Sequence, residues 1–195
     1  MEYVPSTVQI RWAKWGKEKQ KANSVHCRHS PLAASALAGD VIGYSINANA
    51  TDHLFEINLT TGVAADLGKV AFNDAEGLTF DDSGNLYAID GGTDEFWDLT
   101  ILPGSLVGAT GDRDGSGAGL EFHNGTMYNL SGAEGISGLY TIDVSPGAAT
   151  LVGSSTIFGD NLAIDSAGNA YSADWMFRDA LYSVDLAHGS QSLNR

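Results

Sequence analysis

From about residue 40 onward, apolar and polar positions alternate in short runs broken by Gly and Asn. One run reads Gly77-Leu-Thr-Phe-Asp81-Asp-Ser-Gly-Asn85-Leu-Tyr87-Ala-Ile-Asp90. It returns as Gly119-Leu-Glu-Phe122-His-Asn-Gly125-Thr-Met-Tyr128-Asn-Leu and as Asn161-Leu-Ala-Ile-Asp165-Ser-Ala-Gly168-Asn-Ala-Tyr171-Ser-Ala-Asp174. Alternation with period two places successive side chains on opposite faces, so each run predicts two strands joined by a Gly/Asn turn. Tyr87, Tyr128 and Tyr171 are spaced 41 and 43 residues apart, and Leu78, Leu120 and Leu162 are spaced 42 and 42.

A second unit lies between these runs. It reads Leu54-Phe-Glu-Ile-Asn58-Leu-Thr-Thr-Gly62, Leu139-Tyr-Thr-Ile-Asp143-Val-Ser-Pro-Gly147 and Leu181-Tyr-Ser-Val-Asp185-Leu-Ala-His-Gly189, with a worn copy from Phe96 to Gly104. Gly62, Gly104, Gly147 and Gly189 are spaced 42, 43 and 42 apart, where a tight hairpin needs positive φ. Short apolar strands are expected after each, over 64–67, 105–107, 149–152 and 190–193.

Four strands in each period of about 42 residues is the pattern of a propeller blade. A β-solenoid would have shorter coils, and a sandwich would not repeat this evenly. The expected fold is therefore all-β, with about four four-stranded β-propeller blades over residues 32–195. Blades fall near 32–75, 76–118, 119–160 and 161–195, with Val41-Ile-Gly-Tyr44-Ser-Ile standing for the second strand of a degenerate first blade. Four blades allow three outcomes: a small closed ring, an open arc, or half of a ring completed by a partner chain. An open arc leaves a sheet face to be covered, so self-association that completes the ring is an expected partnership.

Charge divides the chain in two. Of 195 residues, 24 are acidic and 10 basic, a formal net charge of -14. Residues 1–30 hold six of the basic residues and only Glu2 and Glu18 among the acids, a net +4 that leaves −18 on the remainder. Residues 1–31 are read as a basic arm outside the repeat, poorly ordered or helical. Such an arm suits a nucleic-acid or membrane tail, or a stretch foreign to the domain; the absence of a clear apolar face favours the last. The acidic body argues against nucleic acid as a partner, and no run of 18 apolar residues could span a membrane. Pro31-Leu-Ala-Ala-Ser-Ala-Leu-Ala38 offers small-x-small sites after the arm, as a degenerate export signal would, although its weak hydrophobicity and the nearby His26, Arg28 and His29 favour a small-residue strand of the domain. The expected location is extracellular or periplasmic.

The unit Leu139-Tyr140-Thr-Ile-Asp143 … Gly147-Ala-Ala-Thr-Leu-Val-Gly153, followed by the Asn161 run, resembles the repeats of secreted bacterial propeller-like proteins. That resemblance implies a binding or scaffold role, with a protein or carbohydrate ligand. Ala75-Glu76-Gly77-Leu78 … Gly84-Asn-Leu-Tyr87-Ala-Ile-Asp90 is similar to the opening of the SMP-30/gluconolactonase family, with its NHL-like propellers. There an acid before this Gly is a divalent-metal ligand on the axis, which implies Glu76 as a ligand, with Asp160 and Asn161 at the matching strand start two blades on. Oxygen ligands from several blades suit Ca²⁺, and a bound cation would polarise a lactone carbonyl. The middle blade departs from this pattern at Ala118.

Gly111-Asp112-Arg-Asp114-Gly-Ser116-Gly117 resembles the start of an EF-hand loop, although His123 stands where the loop needs a bidentate Glu. An acidic turn that holds Ca²⁺ loosely is the reading for Asp112 and Asp114. Trp97 reads as core filler between blades, and Trp175 and Phe177 as a candidate binding patch. No nucleophile–base pair, zinc spacing or phosphate loop emerges, and no organic cofactor is expected. The expected function is a non-enzymatic secreted or surface binding module, steadied by Ca²⁺. The alternatives are a Ca²⁺-dependent lactonase-like hydrolase and a propeller fragment without activity of its own.

Overall fold

Short polar residues at the repeat turns fix the hairpins. In the computed structural model, which describes residues 9–11, 24–28, 41–47, 52–111, 118–132, 137–157, 161–174 and 180–194, two turn designs recur. In the first, Asp81 Oδ1 accepts the N–H groups of Ser83 and Asn85 at 2.9 and 2.8 Å, and Oδ2 accepts the Asn85 amide at 2.8 Å. Asp165 does the same with Ala167, Asn169 and the Asn169 amide. The third member of this set turns instead on Asn124-Gly125, both at positive φ, the two-residue turn whose twist matches a hairpin. In the second design, Asn58, Asp143 and Asp185 each accept a backbone N–H two residues on, while their carbonyls accept the N–H of Gly62, Gly147 and Gly189.

These turns join seventeen strands among the described residues, with no helix. Sheet one is β1 (Gln9–Arg11), β2 (Ser24–Arg28), β3 (Ile42–Ile46), β4 (His53–Asn58) and β5 (Ala64–Lys69). Sheet two is β6 (Ala75–Phe80), β7 (Leu86–Asp90), β8 (Glu95–Asp98) and β9 (Ser105–Ala109). Sheet three is β10 (Ala118–His123), β11 (Thr126–Ser131), β12 (Gly138–Ile142) and β13 (Ala149–Ser154). Sheet four is β14 (Ala163–Ile164), β15 (Ala170–Asp174), β16 (Ala180–Val184) and β17 (Gln191–Leu193). Every pairing is antiparallel between strands consecutive in sequence, which is the meander of a propeller blade. The fold is a four-bladed β-propeller arrangement.

Within residues 1–31, Ser24–Arg28 is a strand. It pairs with β3 in the register Val25↔Ser45, His26↔Tyr44, Cys27↔Gly43, and β1 pairs on its other side. Val25 thus takes the ladder place that Leu78 takes opposite Ala88 in sheet two. The stretch 31–38 lies outside the described residues.

The core is three clusters, one between each consecutive pair of sheets. Ile46 and Leu54 of sheet one meet Leu78, Leu86, Ala88 and Leu99 of sheet two, with Trp97 packed against them. Phe72 and Trp97 place their ring centroids 5.2 Å apart, so Trp97 fills core as expected. Tyr87, Ile89 and Phe96 of sheet two meet Leu120, Met127 and Ile142 of sheet three. Leu130 and Leu139 of sheet three meet Leu162, Ile164, Ala170 and Val184 of sheet four. Each fully buried Leu or Phe contributes roughly 1.5–3 kcal/mol by leaving water. Packing between sheets runs from β2 and β3 to β6, from β6 and β7 to β10, and from β10 to β14. Among the described residues, no packing of that extent joins sheet four to sheet one.

Candidate functional site

Both the connections between sheets and the links from a second to a third strand emerge at one end of the blades. Among the described candidates, Glu76 and Asn161 stand at the start of the first strands of sheets two and four, at that end. Asp112 and Asp114 lie between β9 and β10, Asp160 between β13 and β14, and Trp175 and Phe177 between β15 and β16; all five lie outside the described residues.

Glu76 can be followed in detail. It is the extra residue of a β-bulge, since Ala75 pairs with Asp90 and Gly77 with Ile89. The bulge turns its side chain onto the Gly91-Gly92 turn. A Cβ at Gly91 would stand 2.5 Å from Glu76 Cδ and Oε2, so the carboxylate lies close over the glycine and would have to swing aside for any larger residue. At Gly92 a Cβ would meet Asp74 Oδ2 at 3.2 Å and Asp90 Oδ1 at 3.3 Å. Asp90 Oδ1 accepts the Gly92 N–H at 2.9 Å, and the Asp74 carbonyl accepts the Gly91 N–H at 2.9 Å. From sheet one, the fully buried Asp52 accepts the Ala75 N–H through Oδ2 at 3.1 Å. Asp52, Asp74 and Asp90 therefore surround the start of β6, and at least two of these carboxylates are bound to backbone N–H groups. Sequence reasoning overlooked Asp52 and Asp74, which lie just before β4 and β6; Asp74 matches no repeated motif, whereas Asp52 recurs as Asp94 and Asp179, two residues before Leu54, Phe96 and Leu181.

Asn161 serves the backbone too. Its Oδ1 accepts the Ala173 N–H at 2.8 Å, and its Nδ2 donates to the Ala173 carbonyl at 2.9 Å. The side chain thereby extends the β14–β15 ladder beyond its first backbone pair, Ala163↔Tyr171. Among the described residues, no three His, Cys, Asp or Glu side chains gather in a way that could hold a metal ion.

Another acid, Glu121, lies on the inner strand β10 with its side chain buried. Burial pushes its carboxyl up to about 8, so at neutral pH the protonated form dominates. Its ladder place is that of Thr79 opposite Tyr87 and Ala163 opposite Tyr171; here the partner is Tyr128. An acid among Thr and Ala at one repeat position is a signal that comparison of the repeats could have found.

The surface acids behave differently. Asp165 is held below the usual carboxylate range, first by the Asn169 amide. Asp185 is lowered first by its bond to His188, and Asp66 first by its bond to His53, at 2.8 and 2.9 Å respectively.

Comparison with known proteins bears on the fold. A chain of a nidogen–laminin complex matches over 88% of this chain and 89% of its own length, at 12% identity and a TM-score of 0.55. A protein described as a 6-phosphogluconolactonase, from Bacteroides fragilis NCTC 9343, matches over 94% of this chain and 57% of its own, at 18% identity and a TM-score of 0.48. No family model and no curated protein matches the sequence. The first likeness shows the fold alone, and the second is too loose to carry an argument. Among the described residues, no helix is long and apolar enough to cross a membrane.

Proposed function

We propose that this chain is a non-enzymatic binding or scaffold module of the secreted or surface type, built on propeller blades. One observation carries the reading: the acids that recur with the blade are engaged by the backbone they shape. Asp81, Asp143, Asp165 and Asp185 each accept turn N–H groups. Glu76 sits against Gly91, and Asn161 is doubly bonded to Ala173. A hydrolytic centre needs carboxylates that face a cleft and are free to bind a cation or move a proton. The disposition of these side chains supports architecture in preference to turnover.

The test is a panel of lactones and phosphoesters assayed with and without Ca²⁺, for the parent chain and for Glu76→Ala. The expected result is no turnover by either protein. Turnover that needs Ca²⁺ and is abolished by Glu76→Ala would overturn the proposal and establish lactonase-like hydrolysis in its place.

A further inference from the structure

Leu54, Phe96, Leu139 and Leu181 hold one place in the four sheets. Each lies opposite the residue two beyond the repeated tyrosine: Ile46↔Leu54, Ile89↔Phe96, Leu130↔Leu139, Ala173↔Leu181. In the first three sheets this side chain is covered by the following sheet and is 3%, 0% and 0% exposed. In sheet four Leu181 is 49% exposed.

At the opposite end, sheet one carries the matching place, less fully covered than in the other sheets. Ile57, Leu99, Ile142 and Val184 share the third-strand place that faces the preceding sheet: Ile57 follows from Gly43, which lies opposite it, and Ile142 and Val184 from Met127 and Ala170. Leu99, Ile142 and Val184 are buried, whereas Ile57 in sheet one is only partly so. The two places belong together. Leu54 clusters with Leu99, Phe96 with Ile142, and Leu139 with Val184. The pair that would continue the series is Leu181 with an Ile57.

We propose that the open face of sheet four docks on sheet one of a second copy of this chain. Two such contacts, related by a twofold axis, then close a ring of two arcs. The argument is continuity with the three blade interfaces already present within the chain. A fourth interface of the same construction needs a surface with Ile57 in that place, and this chain carries one. A contact between unlike surfaces polymerises unless its rotation closes, and two four-bladed arcs make eight blades, inside the usual range of about four to eight. The inference rests on blade geometry and is independent of whether the module turns over a substrate.

Sedimentation equilibrium of the full chain tests it. The expected species has twice the 20.4 kDa of the single chain. Leu181→Asp and Ile57→Asp should each weaken it at least about tenfold, as loss of a central apolar anchor does. Because a charged variant can also disturb its own sheet, a second measurement uses cysteine. With Cys27 replaced by Ser, Leu181→Cys and Ile57→Cys proteins are mixed under mild oxidation, and a disulfide-linked heterodimer is expected. A monomer at every concentration overturns the proposal, as does a dimer indifferent to Leu181→Asp whose mixed cysteines do not couple. An open ladder of oligomers overturns the closed pair.

Discussion

Gly108 in β9 lies directly against the Pro146 carbonyl in the following sheet's turn, so that a Cβ on Gly108 would stand far inside van der Waals contact distance of that oxygen. The same relation holds one sheet on, between Gly153 and the His188 carbonyl. Neither glycine has positive φ, so space and not backbone conformation demands it. Gly108→Ala and Gly153→Ala should each destabilise by about 1–3 kcal/mol through overpacking. Urea unfolding followed by circular dichroism measures this. An effect below the error of the method would show that neighbouring sheets slide apart freely at this contact.

Glu121 should make stability fall as pH rises. Its folded value, about 8, lies above the ordinary 4.5, so the folded chain holds a proton that the unfolded chain releases between these values. The contribution of the neutral side chain is complete below pH 4.5 and is lost progressively up to about 8. Glu121→Gln removes the titration. The variant should equal the parent near pH 4.5 and exceed it by a few kcal/mol, order of magnitude, at about pH 8. Chemical denaturation across that range checks it, with parallel pH profiles as the contrary result.

Leu139 joins sheets three and four, fully enclosed with Leu130, Leu162 and Val184. Leu139→Ala removes its packing and leaves a cavity, at a cost of about 2–5 kcal/mol. The urea midpoint should drop, and hydrogen exchange should accelerate in sheet four more than in sheet one. Uniform acceleration would mean that the sheets unfold together.

Asn161→Ala deletes both bonds to Ala173 and should cost about 1–2 kcal/mol. Asn161→Asp keeps an acceptor for the Ala173 N–H but loses the donor to its carbonyl, so its melting temperature should lie between those of parent and Ala variant. Added Ca²⁺ should leave that order unchanged. A gain in Ca²⁺ affinity for Asn161→Asp would instead identify the position as a ligand.

Periodicity made most of the fold legible. Tyr87, Tyr128 and Tyr171 fall where their spacing requires, in β7, β11 and β15, and the glycines after each third strand fall at the second set of turns. The strand β2 was hidden for a physical reason. Val25 and Leu78 hold equivalent ladder places but stand 53 residues apart, because residues 29–41 separate β2 from β3 where five residues join β6 to β7. A long insertion between two paired strands costs a fold little, yet it erases the period. The surroundings of Glu76 were less legible. Its contact with Gly91 depends on a bulge, and nothing in the alternation of β6 announces the extra residue. Leu181 could not have been singled out either. Its sequence context matches Leu139, and only its position at the end of the arc exposes it.

Because, among the described residues, each sheet packs on its sequence neighbours, the blades should behave as a row of coupled units more than as one cooperative block. Among the described residues, sheets two and three each pack on two neighbours, whereas sheets one and four each pack on one. Opening should therefore start at a terminal sheet, first at the end where Leu181 is exposed, and travel inward one interface at a time. The protein's lifetime against proteolysis is then set by whatever covers its last sheet.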